Sequence, residues 1–226
     1  MSLLPHHPIV IAVLSLALFV VLILSFAILG SHWVRNHVYA FTVQSWVIAA
    51  ISVVVAFWGH YPLLYGIAVL TIVIRGLLIP FLVIRLLDRT GVGREQAPIL
   101  RSSSTLVIGG VLVILALVIA EEIHHQLLGM PAIDVLAFTV LLGVEFIAFL
   151  MLTLRTEALS SLLGLLMIEN GVLAGSVILV PGLPFFLEIV FLFDLLIIIA
   201  TYAVLVRSMR SHLGVTDVRV MRELTG

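Results

Sequence analysis

The chain has 226 residues, 63% of them hydrophobic and only 10% charged, with a formal net charge of −1 and no cysteine. A soluble domain is about 45–50% apolar and about 25% charged, so a chain of mean hydropathy +1.34 has too few charges to wet a surface, and lipid is its expected solvent. The missing cysteines exclude disulfides and thiolate-held zinc or iron–sulfur centres, and the 11 basic residues, all arginine, form no patch for nucleic acid.

Crossing a hydrocarbon core takes about 20 helical residues. Seven stretches qualify: 9–31, 39–58, 63–87, 104–123, 132–155, 158–180 and 183–207. The expected fold is therefore all-α, a polytopic bundle of about seven transmembrane helices. The first stretch lacks the basic start, short apolar run and cleavage site of a secretory signal, so it is read as a span. Connections are short at Gly59-His60-Tyr61-Pro62 and Pro181-Gly182, while 88–103 and 208–226 are polar. Arg35, Arg85, Arg89, Arg94, Arg101, Arg155, Arg207, Arg210, Arg219 and Arg222 all fall on one side of a seven-span chain. The positive-inside rule makes that side cytoplasmic, with the N-terminus outside and the C-terminus inside.

Four ionisable residues break the pattern. Arg75 lies at the middle of span three, Glu145 of span five, Glu169 of span six and Asp194 of span seven. Each costs at least about 2.5–3.5 kcal/mol to insert, so such groups face the bundle interior, pair with one another or meet trapped water. An ion-pair lock accounts for Arg75 and one carboxylate, but one cation leaves two carboxylates unmatched. A carboxylate in low dielectric favours its neutral, protonated form, which a proton relay exchanges. Arginine keeps its proton, so Arg75 is a fixed charge rather than a relay.

Polar residues near these groups extend the candidate set. Gln44 and Ser45 in span two, Ser176 beside Glu169 and Thr201 beside Asp194 are candidates for a wet axis, with interhelical hydrogen bonding as the alternative. Gly171 and Gly175 form a GxxxG, read as close helix packing. His124 and His125 beside Glu121 and Glu122 are read as an exposed polar loop rather than a metal site, and Glu188 as solvated at the outer end of span seven. There is no phosphate-binding glycine loop, Ser/His/Asp arrangement or HExxH, and His32, His37 and His60 fall at span ends rather than at haem-ligating depth. Proton traffic without local chemistry is what remains.

The segment Gly164-Leu165-Leu166-Met167-Ile168-Glu169-Asn170-Gly171 resembles the helix signature of component E of hydrogenase-4 complexes, relatives of formate hydrogenlyase. Asp194 in Leu192-Phe193-Asp194-Leu195-Leu196 falls where that family carries its next intramembrane aspartate, and Val215-Thr216-Asp217-Val218 with Met221-Arg222-Glu223-Leu224 resembles its ending. Gln44-Ser45, and Arg75 before Leu77-Leu78-Ile79-Pro80, fit the same family. The likeness covers most of the chain and is most specific from about 155 onward. Spans five to seven are also similar to the K subunit of respiratory complex I and the C subunit of Mrp-type antiporters. Two departures stand out. The K-type glutamate falls where this chain has Leu166, so Glu169 lies about 4.5 Å further along the helix; and Arg75 stands where the family usually carries lysine.

The resemblance implies a four-helix N-terminal part (1–131) and a three-helix K-like part with a cytoplasmic tail (132–226). It implies a non-catalytic subunit of a complex I-like, group 4 [NiFe]-hydrogenase-type oxidoreductase in a prokaryotic cytoplasmic membrane. Its partners would be antiporter-like subunits and a quinone-site-type, H-like subunit. The chain itself would hold no cofactor, with the Ni-Fe and iron–sulfur centres in partner subunits. Glu169, Asp194, Glu145 and Arg75 would contribute to a proton or sodium translocation axis.

Overall fold

The structure, a computed structural model, describes residues 8–90, 102–126, 131–155, 158–184, 186 and 190. Residues Met1–Leu187 form one compact unit and Glu188–Gly226 a second. All elements below belong to the first. They are α1 (Pro8–Gly30), α2 (Val34–Gly59), α3 (Leu63–Val73), a π-helical turn (Ile74–Leu78), α4 (Ile79–Thr90), α5 (Ser102–Gln126), α6 (Ala132–Leu154) and α7 (Ala158–Leu179). The α3–π–α4 run is one rod. Among the described residues there are thus six helices long and apolar enough to cross a membrane. The stretch expected as a seventh, 183–207, lies almost wholly outside the described residues, as do Asp194 and Thr201.

Helix suits these apolar segments because it satisfies the backbone N–H and C=O groups within the segment, as any chain crossing a membrane must. The hydroxyls follow the same logic. Ser25, Thr42, Ser45, Ser52, Thr139 and Thr153 each donate to the carbonyl four residues back, at 2.7–3.0 Å. Prolines mark starts: Pro8 opens α1, Pro62 caps α3 and Pro131 caps α6. After α2 the reversal is made not by Gly59 but by His60, in the left-handed region at φ 57°, whose N–H bonds to the Ala56 carbonyl. The polar stretch at 121–126, expected as a loop, is the helical end of α5, where Gln126 Nε2 donates to Glu122 Oε1 at 3.1 Å.

Packing places α2 against α1, α3 and α7, and α6 against α5, α1 and α7. Leu14, Leu18, Phe41, Ile48, Leu64, Ile67, Ile147 and Met151 fill the interior. Phe19, Ile23, Val69, Ile114 and Phe149 remain exposed, so the helices are apolar on both faces, as lipid-facing helices are. Gly171 and Gly175 let α7 close on α6: an added Cβ would stand 2.9 Å from Val144 Cγ1 at the first and 2.5 Å from Leu141 Cδ1 at the second. At the other ends of α1 and α6, Arg155 Nη2 donates to the carbonyls of Leu29 (2.7 Å) and Ser31 (2.9 Å). A residue read from sequence as an orientation charge thus also caps α1, whose last carbonyls have no intrahelical donors.

Candidate functional site: a buried charge network

The rod formed by α3 and α4 widens where Arg75 sits. Pro80 has no N–H to give, and its ring would strike the carbonyl of Gly76, four residues back. The chain answers by bonding five residues back, from the Ile79 N–H to the Ile74 carbonyl. Single π turns of this kind occur often at functional sites. Gly76 adds room: the edge of the Trp46 indole lies where its Cβ would be.

Arg75, only 2% exposed, meets two residues of α7 at once. Its Nη2 pairs with Glu169 Oε2 at 3.0 Å, and its Nη1 donates to Asn170 Oδ1 at 3.0 Å. Asn170 Nδ2 spends both protons on α2, donating to Gln44 Oε1 and Ser45 Oγ at 3.1 Å each. Gln44 Nε2 does the same on α1, donating to Ser25 Oγ at 2.8 Å and to the Val21 carbonyl at 3.1 Å. Arginine can only donate, so Asn170 must turn its oxygen to Arg75 and its amide nitrogen to α2. Four separate parts of the chain, α1, α2, the π turn and α7, are joined by one directed chain of hydrogen bonds. Asn170, Gln44, Ser45 and Ser25 are fully buried.

Of the sequence candidates, Arg75, Glu169 and Gln44 come together here, with Ser45. Glu145 does not. It is half-buried on α6, and its Oε1 lies against Gly171, 3.2 Å from where a Cβ on that glycine would be. That oxygen is buried and has no hydrogen-bond partner among the described residues. Ser176 is buried but donates only to the Leu173 carbonyl of its own helix, at 3.2 Å. No group of three metal-ligating side chains occurs among the described residues. Asn170 and Ser25 carry the network yet were absent from the candidates. Their signal was present: an amide and a hydroxyl inside apolar spans, where an unpaired polar group is costly.

The uncharacterized protein Rv0085 of Mycobacterium tuberculosis is 30% identical to this chain over 160 residues, 70% of each sequence. No family model matches the chain, and no solved structure matches it. At that identity and coverage, the chain belongs to the family of the M. tuberculosis protein Rv0085.

Proposed function

We propose that this chain is a membrane-arm coupling subunit of a complex I-like, group 4 [NiFe]-hydrogenase-type redox complex. The observation that carries the reading is the Arg75–Glu169 pair, buried halfway along apolar helices and wired through Asn170 to α2 and α1. Burying charge at that depth costs several kcal/mol per ion, more than packing alone requires. Glu169, Glu145, Asp194 and Arg75 would form the ion-translocation axis, with protons or sodium ions as cargo. The chain spans a prokaryotic cytoplasmic membrane in this reading and contacts antiporter-like and H-like subunits. The metal centres belong to those partners' complex, and this chain performs no redox step.

A second reading is favoured by the completeness of the same network: it is a structural lock that fixes α7 against α2 and the π turn. Both protons of each side-chain amide are used, as in a rigid joint. The two readings part on one experiment. The tagged chain is purified in mild detergent from its native membrane, and pumping is measured in vesicles for Glu169→Gln, Glu145→Gln and Asp194→Asn. Co-purification of hydrogenase-type and antiporter-like subunits, with pumping lost in an assembled complex, supports coupling. Full pumping in all three variants removes it, and loss of assembly favours the lock.

A further inference from the structure

A hydroxyl buried inside an apolar helix has a ready partner in the carbonyl one turn back. Past the first turn of their helices, Ser25, Ser45, Ser52 and Thr139 take it, and Ser176 takes the carbonyl three residues back. Thr71 does not. It is fully buried in α3, yet its Oγ1 has no hydrogen-bond partner among the described residues. Threonine divides between two rotamers in a helix because its hydroxyl can bond that carbonyl or turn away from it. Thr71 has turned away, and a bond left unmade in an apolar interior is costly.

Helix register supplies its neighbours. α3 returns antiparallel to α2 after the short turn at Gly59–Pro62, and the Trp46 indole lies on Gly76. Five residues along each helix from that contact, Thr71 is level with Ile51 and so beside Ser52. α7 runs in the direction of α2, because Arg155, just before α7, bonds the Leu29 and Ser31 carbonyls just before α2. Asn170 bonds Gln44 and Ser45, so Ser176, six residues on, is also level with Ile51. Three buried hydroxyls from three helices thus stand at one height, about 9 Å beyond Asn170 toward the Gly59–Pro62 turn at 1.5 Å per residue.

They also continue the faces of the network. Thr71 lies one turn from Arg75, Ser52 two turns from Ser45, and Ser176 two turns from Glu169. Arg75 and Glu169 reach each other at 3.0 Å by the length of their side chains. Thr71 and Ser176 sit on the same two faces with side chains several bonds shorter, and no hydrogen bond joins them. Ser52 has given its proton to the Ile48 carbonyl and Ser176 to the Leu173 carbonyl, so each offers only lone pairs. Thr71 still offers its proton. A water molecule is the complement: it accepts from Thr71 and donates to the two serines, within the two to four partners that buried water takes. Three neutral hydroxyls supply too few oxygens for a cation such as calcium, which takes six or more.

We infer that Thr71, with Ser52 and Ser176, holds a buried water molecule, and that this water begins a polar branch from the Arg75–Asn170 network toward the Gly59–Pro62 end of the helices. The inference adds a route to the proposed ion-coupling role and rests on it for what the water would carry, but hydration can be read in the chain alone. The chain has no cysteine, so a single cysteine placed in it reports without background. The full chain in lipid nanodiscs is exposed to a short X-ray pulse, which splits bound water into hydroxyl radicals that oxidise the nearest side chain, cysteine fastest. Peptide mass spectrometry reads the oxidation. Ser52→Cys and Ser176→Cys are expected to be oxidised several-fold faster than Ala148→Cys, a fully buried position on α6. Adding Thr71→Val, which keeps the shape without the hydroxyl, should bring both reporters down to the control rate, while Thr71→Ser should keep them high. Rates no higher than that of Ala148→Cys, or rates unchanged by Thr71→Val, overturn the assignment. Oxidation that depends on Thr71 in a chain purifying without hydrogenase-type partners sustains the water site and removes the complex. An assembled, pumping complex whose reporters stay at the control rate does the reverse.

Discussion

Removing Arg75 tests whether the buried pair is real. In Arg75→Leu the carboxylate of Glu169, 7% exposed at its side chain, loses its 3.0 Å ion pair with the guanidinium. Breaking a buried pair from one side costs about 3–5 kcal/mol, because a charge is left uncompensated. The Asn170 oxygen also loses its donor, and interhelical hydrogen bonds between apolar helices average about 0.6 kcal/mol. Arg75→Leu should therefore destabilise the chain by about 4 kcal/mol, and Glu169→Leu by a similar amount. The double change Arg75→Leu/Glu169→Leu removes both charges of the pair and should cost less than either single change, since an apolar replacement of a whole pair is often neutral or stabilising. Unfolding of the full chain in detergent by increasing dodecyl sulfate, followed by tryptophan fluorescence, measures all three. Trp46 lies on Gly76 and reports on the π turn. A double variant as unstable as the sum of the singles, within about 0.5 kcal/mol, means no coupling and refutes the argument.

Two further outcomes follow from helix packing and capping. Gly175→Ala places a Cβ 2.6 Å from Leu141 Cβ, an atom fixed to the α6 backbone, and should cost about 1–3 kcal/mol in the same assay. Gly66→Ala meets nothing within 4 Å and should be neutral or stabilising by about 0.5–1 kcal/mol, so an equal loss at both sites would undo the packing explanation. Arg155→Met keeps an apolar stem but frees the Leu29 and Ser31 carbonyls, an expected loss of about 1.5–3 kcal/mol, with faster amide hydrogen exchange confined to the joined ends of α1 and α6. Unchanged exchange there would show that the cap is not needed.

Much of the fold was legible because helices long and apolar enough to cross a membrane announce themselves by length and apolarity. The stretches 9–31, 132–155 and 158–180 agree with α1, α6 and α7 to within a residue at each end. Span two begins earlier than expected, at Val34, because Arg35, Asn36 and His37 are polar residues inside a helix and a hydropathy reading stops at them. The last residues of α5, 124–126, were missed for the same reason. The π turn could not be seen at all, although Pro80 pointed to some disturbance of span three.

The site divides along the same line. Composition and depth alone identified Arg75, Glu145 and Glu169 as out of place, because each costs energy wherever its helix lies in an apolar medium. They did not say which carboxylate meets the arginine. That depended on how α7 is rotated, and the rotation is set by Gly171 and Gly175 closing on Val144 and Leu141, which turns Glu169 and Asn170 toward α2 and the π turn. Nor could one chain of letters show Asn170, Gln44 and Ser25 as a single hydrogen-bond path, since their sequence separations reach 126 residues and only packing shortens them to about 3 Å. Sequence determined that charges are buried. Tertiary structure decided that Arg75 and Glu169 neutralise each other while Glu145 stands apart, because pairing is a property of distance and distance is fixed by helix contact.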